Sequence, residues 1–469
     1  MRRPGAPVGS TDSPPREPSL ITEAAPPCRV AGRLVAIQGD ALVIEDAQAS
    51  LTARLVSSSS APLLSTRAGS SSGSLSETRS RGSSAARPEL SLGQLVILRL
   101  VGQGADCFLA DQVEVVGAGR LTPGGEHARR LGPALKARAR ALGAVRALFD
   151  AQGFLEVETP VRVPCPGLDL YVDALPAHEG WLITSPEHHM KRLLVAGARR
   201  IYQITRASRA EELGPLHEPE FTLVEWYRAY AGMSCVMADT EALVRRVVAA
   251  VRTFAESPGT GAAATARGAG GDSSGAGGDS SGADSDSQAR LSDFTYQGRR
   301  YDLAAPFLRL SVREAFRRYA GEPDLSRLAQ DEDRYFDLLV SQVEPALREL
   351  SQPVFLYGYP LSQASLARPD PSDPETAERF ELYLAGVELC NGFGELNDAA
   401  EQRRRYEAAL RERRARGMPV YPLDERFLAA LEEGMPPAGG NALGLDRLLM
   451  LALDAPAITQ VLAFPTARA

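Results

Sequence analysis

Residues 201–228 read IYQITRASRAEELGPLHEPEFTLVEWYR. Two runs of β-forming residues, 201–205 and 221–230, flank a loop crowded with Arg, Glu, His and Pro, which reads as a hairpin with a charged connection. Side chains alternate along a strand, so Phe221, Leu223, Glu225 and Tyr227 share one face, while Thr222, Val224, Trp226 and Arg228 share the other. An aromatic ring, a carboxylate and a phenol therefore point the same way. In the loop, Arg209 and Glu211 stand two apart, where a planar guanidinium can take a phosphate or carboxylate in bidentate fashion. Charge alone would make this an ordinary hairpin with a solvated turn, and its neighbours along the chain decide for more.

The 469 residues can bury a large core and suit two domains with linkers. Basic and acidic residues number 52 and 59, a net charge of −7, so no global basic field offers itself to nucleic acid. Arg supplies nearly all the positive charge; Lys occurs only at Lys136 and Lys191, the latter beside Arg192. The five cysteines, Cys28, Cys107, Cys165, Cys235 and Cys390, form no CxxC pair, which suits reduced thiols better than a disulfide framework or a structural zinc site. The N-terminal residues have no apolar run of signal-peptide type, and the apolar run 443–453 is interrupted by Asp446 and Arg447. A soluble, cytoplasmic protein without a membrane span is expected.

Composition predicts a disordered tail at 1–27. A β-rich unit follows at 28–118, with a Ser-rich insert at about 57–88; five short alternating runs favour a small OB-like barrel, poor in the aromatic residues that stack bases. The apolar spacing of 129–152 predicts a helix stopped by Gly153, and FLEVETP then reads as a strand ending at Pro160. WLITSPEHHMKRLLVAG turns at Ser185 and Pro186 into a helix opening on Glu187, where a carboxylate suits the helix dipole. A helix is expected at 236–254, and a Gly/Ser/Asp-rich, disordered insert at about 256–290. Beyond it, FELYLAGVEL alternates as a hairpin tipped at Ala385 and Gly386, and a charged helix at 400–416 and a last apolar helix complete the chain.

Glu388 and Glu395 are candidates to hold a metal. Seven apart, they face opposite sides of an uninterrupted strand, so a shared cation demands a break or bulge, which Gly392 and Gly394 make easy. Carboxylates together with nucleotide phosphates are the usual holders of magnesium. Gly444, Leu445, Asp446 and Arg447 open the last helix, where glycine lets a ligand approach the backbone and Arg can neutralise phosphate or stack on a base.

Taken together these segments resemble a class II aminoacyl-tRNA synthetase catalytic domain: GFLEVETP is similar to its motif 1, RAEE with HEPEF and EWYR to motif 2, and GLDR to motif 3. The resemblance spans residues 129–469 and implies an α+β fold, an antiparallel sheet flanked by helices, behind the N-terminal OB-like β-barrel. EWYR and ELCNGFGELND resemble the lysyl subgroup. Within it, Ser185, the SQASLA loop and Ala442 resemble the elongation factor P β-lysine ligases more than the lysyl-tRNA synthetases, which usually carry Ala and Gly at the first and last of these places. A serine and an added methyl can reshape a pocket for a shifted amino group.

The resemblance implies ATP as co-substrate, Mg2+, β-lysine or lysine as amino acid, elongation factor P as acceptor and a homodimer; tRNA is the acceptor of the rival reading, and a non-catalytic lysine or nucleotide sensor is a third. It gives Arg209 the α-phosphate and the substrate carboxylate. Glu211 with the Ala210 backbone would read adenine between Phe221 and Arg447, with His217 and Glu218 along the nucleotide and backbone contacts from Leu389 and Gly444. Glu388 and Glu395 would hold Mg2+ and ATP. Ser185, Pro186, Glu187, Glu225, Tyr227, Asn391, Phe393, Glu395 and Ala442 would form the amino-acid pocket. Arg209, Glu395 and Arg447 are the expected catalytic groups. Three residues depart from the family pattern: Ser208, Ala210 and Glu218, the last placing an extra carboxylate near the triphosphate.

Overall fold

The computed structural model describes residues 28–38, 41–45, 50–55, 94–103, 107–117, 131–255 and 291–466. The tail at 1–27 and the two inserts expected at about 57–88 and 256–290 lie outside these residues. The chain divides into two compact units, Met1–Pro133 and Ala134–Ala469.

The first unit is a closed barrel of five strands, β1 (Cys28–Gln38), β2 (Ala41–Glu45), β3 (Ser50–Leu55), β4 (Leu95–Gln103) and β5 (Phe108–Gly117), in the order β1-β2-β3-β5-β4. Alternation fills it: Leu51 and Ala53 are buried while Thr52 and Arg54 are exposed, and Leu42, Ile44, Val96 and Leu98 point inward from neighbouring strands. Closure leaves no edge for a further strand.

The second unit is built on a mixed sheet. Helix α1 (Gly132–Ala151) stops before Gly153, whose φ of 73° gives the left-handed turn expected of it. In chain order follow β6 (Leu155–Glu156), α2 (Glu187–Val195), β7 (Arg200–Ser208), β8 (Glu220–Ala229), α3 (Met233–Ala255), β9 (Leu308–Ser311), β10 (Val354–Pro360), β11 (Pro369–Asp370), β12 (Asp373–Leu384), β13 (Val387–Gly394), α4 (Ala399–Ala415), α5 (Glu425–Gly434), β14 (Ala438–Gly444) and α6 (Leu445–Ala452). The sheet runs β9-β10-β12-β13-β14-β8-β7-β6, with β11 beside β12. Its central pairs are antiparallel, and the short edge strands β6 and β9 pair in parallel. The strand expected from FLEVETP shortens to Leu155–Glu156, because β7 offers that edge partners for only those residues and one further bond, Val157 N to Tyr202 O at 2.9 Å.

The alternation in β8 sorts the two faces as the sequence predicts. Val224 and Trp226 enter the core with Phe149 and Tyr202 and the apolar sides of α1, α3 and α6. Tyr227 joins Ile201, Phe393 and Met190 on the opposite face, against α2, α4 and α5. Trp226 is wholly buried with its ring 5.5 Å from that of Phe149; burying so large a ring stabilises by roughly 3 kcal/mol. The β12–β13 hairpin turns at Ala385 and Gly386, with φ of 56° and 76°, the twin left-handed residues that a two-residue turn between right-twisted strands requires. Cys107, Cys165, Cys235 and Cys390 are free thiols.

Candidate active site

Register assembles the site in two rows across the sheet. Gln203, Glu225, Ala442, Asn391 and Glu381 stand opposite one another on β7, β8, β14, β13 and β12. The next row is Ile201, Tyr227, Gly440, Phe393 and Arg379. Directly opposed residues share a face, so segments far apart in sequence present one continuous floor. Adding a methyl to Gly440 would drive it into the Tyr227 ring and the Glu395 carboxylate.

One end of this floor is closed by α2. Ser185 and Pro186 lead into the helix, and Glu187 in its first turn faces Lys191 one turn on. The Lys191 ammonium is wholly buried, 2.6 Å from Glu187 Oε1 and 2.5 Å from Glu395 Oε2. Burial works against its charge, but the two carboxylates together outweigh that and hold its pKa above the ordinary lysine value. Glu187 thus pairs with Lys191 rather than acting as a cap alone. Tyr227 donates its hydroxyl to Glu225 Oε1 at 2.7 Å, while the buried Oε2 has no partner among the described residues. Burial, then the charge of Glu187, pushes the Glu225 carboxyl well above its usual range.

Beside this end lies a cavity of about 120 Å³ lined by Arg209, His217, Glu218, Phe221, Glu388 and Arg447, together with Leu389, Asn391, Ala442 and Gly444. Arg447, in the first turn of α6, is held by three bonds: Nη1 to the Glu388 carbonyl at 2.8 Å, Nε to the Leu216 carbonyl at 3.2 Å, and Nη2 to His217 Nε2 at 2.6 Å. Burial and the adjacent Arg447 lower the His217 pKa, so the imidazole is neutral and accepts through Nε2, with its proton on Nδ1. Arg209 stacks over Phe221, 5.1 Å from the ring centroid, and its buried Nε lacks a partner.

Two expectations for this cavity are corrected. Glu211 adopts a left-handed conformation, φ 63°, which turns it out to solvent; Glu212 lines the cavity instead, and the Ala210 amide is already bound to the Asp173 carbonyl at 2.8 Å. Glu218 is buried and accepts from the Thr466 amide and hydroxyl at 2.9 and 2.7 Å, which binds the extra carboxylate into the fold.

The expected pairing of Glu388 with Glu395 also changes. The strand does bulge, but at Leu389 rather than at the glycines: Leu382 opposes Cys390 and Tyr383 opposes Glu388, leaving Leu389 extra. The bulge turns Glu388 onto the face of Asn391. Glu388 and Glu395 still stand at opposite ends of β13, roughly 20 Å apart at a strand's rise per residue, too far to share one cation. The carboxylate facing Glu388 is Glu381; burial and then the Glu381 charge raise the Glu388 pKa. Glu381 accepts from Tyr359, Tyr383 and Arg379 at 2.5, 2.8 and 2.6 Å. Among the described residues no group of three or more His, Cys, Asp or Glu stands ready to hold a metal, so an ion here would draw its other ligands from phosphate oxygens. Gly392 and Gly394 serve close packing instead, against the Phe380 ring and the Glu378 side chain.

Sequence reasoning noticed Lys191 without a role, although its spacing from Glu187 on a helix was signal enough. It passed over Glu381 and Gly440, which only register brings into place.

A sheet of this topology, with an Arg in the loop of one hairpin and another opening the last helix over a single cavity, is a class II synthetase site. The family model for class II tRNA synthetases (D, K and N) matches residues 127–468, and the chain belongs to that family. It is 39% identical over 346 residues to the elongation factor P–(R)-β-lysine ligase of Edwardsiella ictaluri (strain 93-146), covering 71% of this chain and 94% of the relative. Against the ligase of the same name from Proteus mirabilis (strain HI4320) the identity is 40% over 346 residues, with the same coverage. Within the class, the chain belongs with these ligases. No helix among the described residues is long and apolar enough to cross a membrane.

Proposed function

We propose that the chain activates (R)-β-lysine with ATP and transfers it to a lysine side chain of elongation factor P. The observation that carries this is the alignment at about 40% identity over nearly the whole length of ligases that bear that name. The site's chemistry agrees with it. A substrate with two ammonium groups suits a pocket rich in carboxylates, where Glu225 Oε2 and Asn391 Oδ1 are acceptors without partners. Lys191 neutralises part of the charge of Glu187 and Glu395.

The substrate carboxylate attacks the α-phosphorus directly, and no side-chain nucleophile is called for. What the protein supplies is position and charge. Arg209, whose Nε is unpaired, neutralises the α-phosphate as the acyl-adenylate forms; Arg447, clamped by His217 and two carbonyls, and Phe221 hold the adenine between them. Glu388 and Glu381 would hold Mg2+, which supplies charge neutralisation at the triphosphate. Ala442 places its methyl between Glu225 and Asn391 in the transverse row, and with Ser185 it shapes the pocket for an amino group shifted by one carbon.

The five-stranded barrel is read as an OB-type accessory domain, the molecule as a cytoplasmic homodimer built on the motif 1 region, and the domain boundaries as 28–118 and 129–469. A lysyl-tRNA synthetase is the second reading, favoured by that closed barrel. The pocket assignment is tested with Glu395→Gln: β-lysine-dependent pyrophosphate exchange should disappear, and an unchanged rate would remove Glu395 from the active site.

A further inference from the structure

Residues 214–217 make a tight turn in the long connection between β7 and β8. Two bonds close it on itself, the Gly214 amide to the His217 carbonyl at 3.1 Å and the His217 amide to the Gly214 carbonyl at 3.3 Å. They give the turn its shape but do not fix where it stands. Its position matters, because Leu216 and His217 line the nucleotide cavity and grip Arg447, through the Leu216 carbonyl at 3.2 Å and His217 Nε2 at 2.6 Å.

The chain after α6 supplies the missing anchor. Ile458, Val461 and Leu462 are buried in the same core as the apolar side of α6, and the Val461 carbonyl accepts from Arg138 of α1 at 3.3 Å. From this seat the segment reaches the turn twice. The Ile458 amide donates to the Pro215 carbonyl at 2.8 Å, and the Thr466 amide and hydroxyl both donate to Glu218 Oε2, at 2.9 and 2.7 Å. Pro215 and Glu218 flank the two residues that grip Arg447. Glu218 is only 3% exposed, and a buried carboxylate needs donors; bonds to a charged acceptor are the stronger kind.

Resting on the function proposed above, in which Arg447 holds the adenine, we propose that Glu218 and Thr466 are positioning residues for ATP. With the Ile458–Pro215 bond they form a bracket that holds Leu216 and His217 in place, and through them Arg447. Neither residue has to touch the nucleotide. A free carboxylate in this cavity would repel the triphosphate; tied to Thr466, it secures the groups that meet the base, and position is what this site contributes to the reaction.

The test uses the whole chain with Glu218→Ala, Thr466→Val, which removes one donor at nearly constant shape, Thr466→Ser, which keeps it, and the double variant Glu218→Ala with Thr466→Val. Two quantities are measured: the Kd of a non-hydrolysable ATP analogue by calorimetry without amino acid, and the KM values for ATP and β-lysine in pyrophosphate exchange. Glu218→Ala and Thr466→Val should each raise Kd and KM for ATP by about fivefold and leave KM for β-lysine unmoved. Thr466→Ser should behave as the unaltered chain, and the double variant should be no worse than Glu218→Ala, because the two side chains form one link. An effect of Glu218→Ala that Thr466→Val does not share would overturn the proposal, since the carboxylate would then meet the nucleotide directly. Unchanged or tighter ATP binding in both variants would overturn it as well, as would a lowered Tm with both KM values rising together, the mark of a purely structural role. Should Glu218→Ala fold poorly, Thr466→Val against Thr466→Ser decides alone. A chain without β-lysine-dependent exchange whose Kd for the ATP analogue still follows the variants would refute the substrate reading and support the bracket.

Discussion

Gly440 lies against the Tyr227 ring and the Glu395 carboxylate, and any side chain there would collide with both. Gly440→Ala should raise KM for the amino acid by at least about tenfold and lower stability by about 1–3 kcal/mol, the usual result of overpacking; pyrophosphate-exchange kinetics and thermal unfolding measure both, and an unmoved KM would place the pocket elsewhere. Glu344 tests the electrostatics around Glu381 and Glu388. Burial, then the charges of Glu381 and Glu388, raises its pKa from 4.5 to about 7. The folded chain therefore holds this proton more tightly than the unfolded chain, so the contribution to stability is full below pH 4.5 and is lost as pH rises through about 7. Glu344→Gln should flatten that dependence and add about 1 kcal/mol at pH 8, a figure reduced for the group's partial exposure. Urea midpoints at pH 5 and pH 8 give the comparison, and a variant that keeps the wild-type slope would refute the assignment.

At the scale of elements, Asp446 ties three of them together. It accepts from the Thr222 amide of β8 at 2.7 Å and pairs with Arg138 of α1, which also reaches the Thr222 hydroxyl and the Val461 carbonyl at 3.4 and 3.3 Å. Asp446→Ala should cost about 3 kcal/mol, because it strands a mostly buried guanidinium and a backbone amide, and with Arg138→Met the loss in the double variant should fall short of the sum; additive urea midpoints would show that the two do not act as a unit. Much of this was readable in the chain. Alternation along 221–228 assigned both faces of β8 because strand neighbours lie within one window, and Ala385–Gly386 announced its own turn. Register was not readable. Ala442 lies between Glu225 and Asn391 only because β14 inserts between β8 and β13, and no local pattern encodes that order. The same blindness paired Glu388 with Glu395, close in sequence but at opposite ends of a strand, and passed over Glu381 across the hairpin.

The molecule as a whole combines a closed five-stranded barrel with a synthetase-type mixed sheet. A net charge of −7 gives no global basic field and favours a protein acceptor over a polyanion. The most direct test of this account is amino-acid-dependent ATP–pyrophosphate exchange with the 469-residue chain, comparing (R)-β-lysine with L-lysine and then offering elongation factor P or tRNA as acceptor. The account predicts a preference for (R)-β-lysine of about tenfold or more and label delivered to elongation factor P; exchange driven by L-lysine, with tRNA charged and elongation factor P untouched, would contradict it.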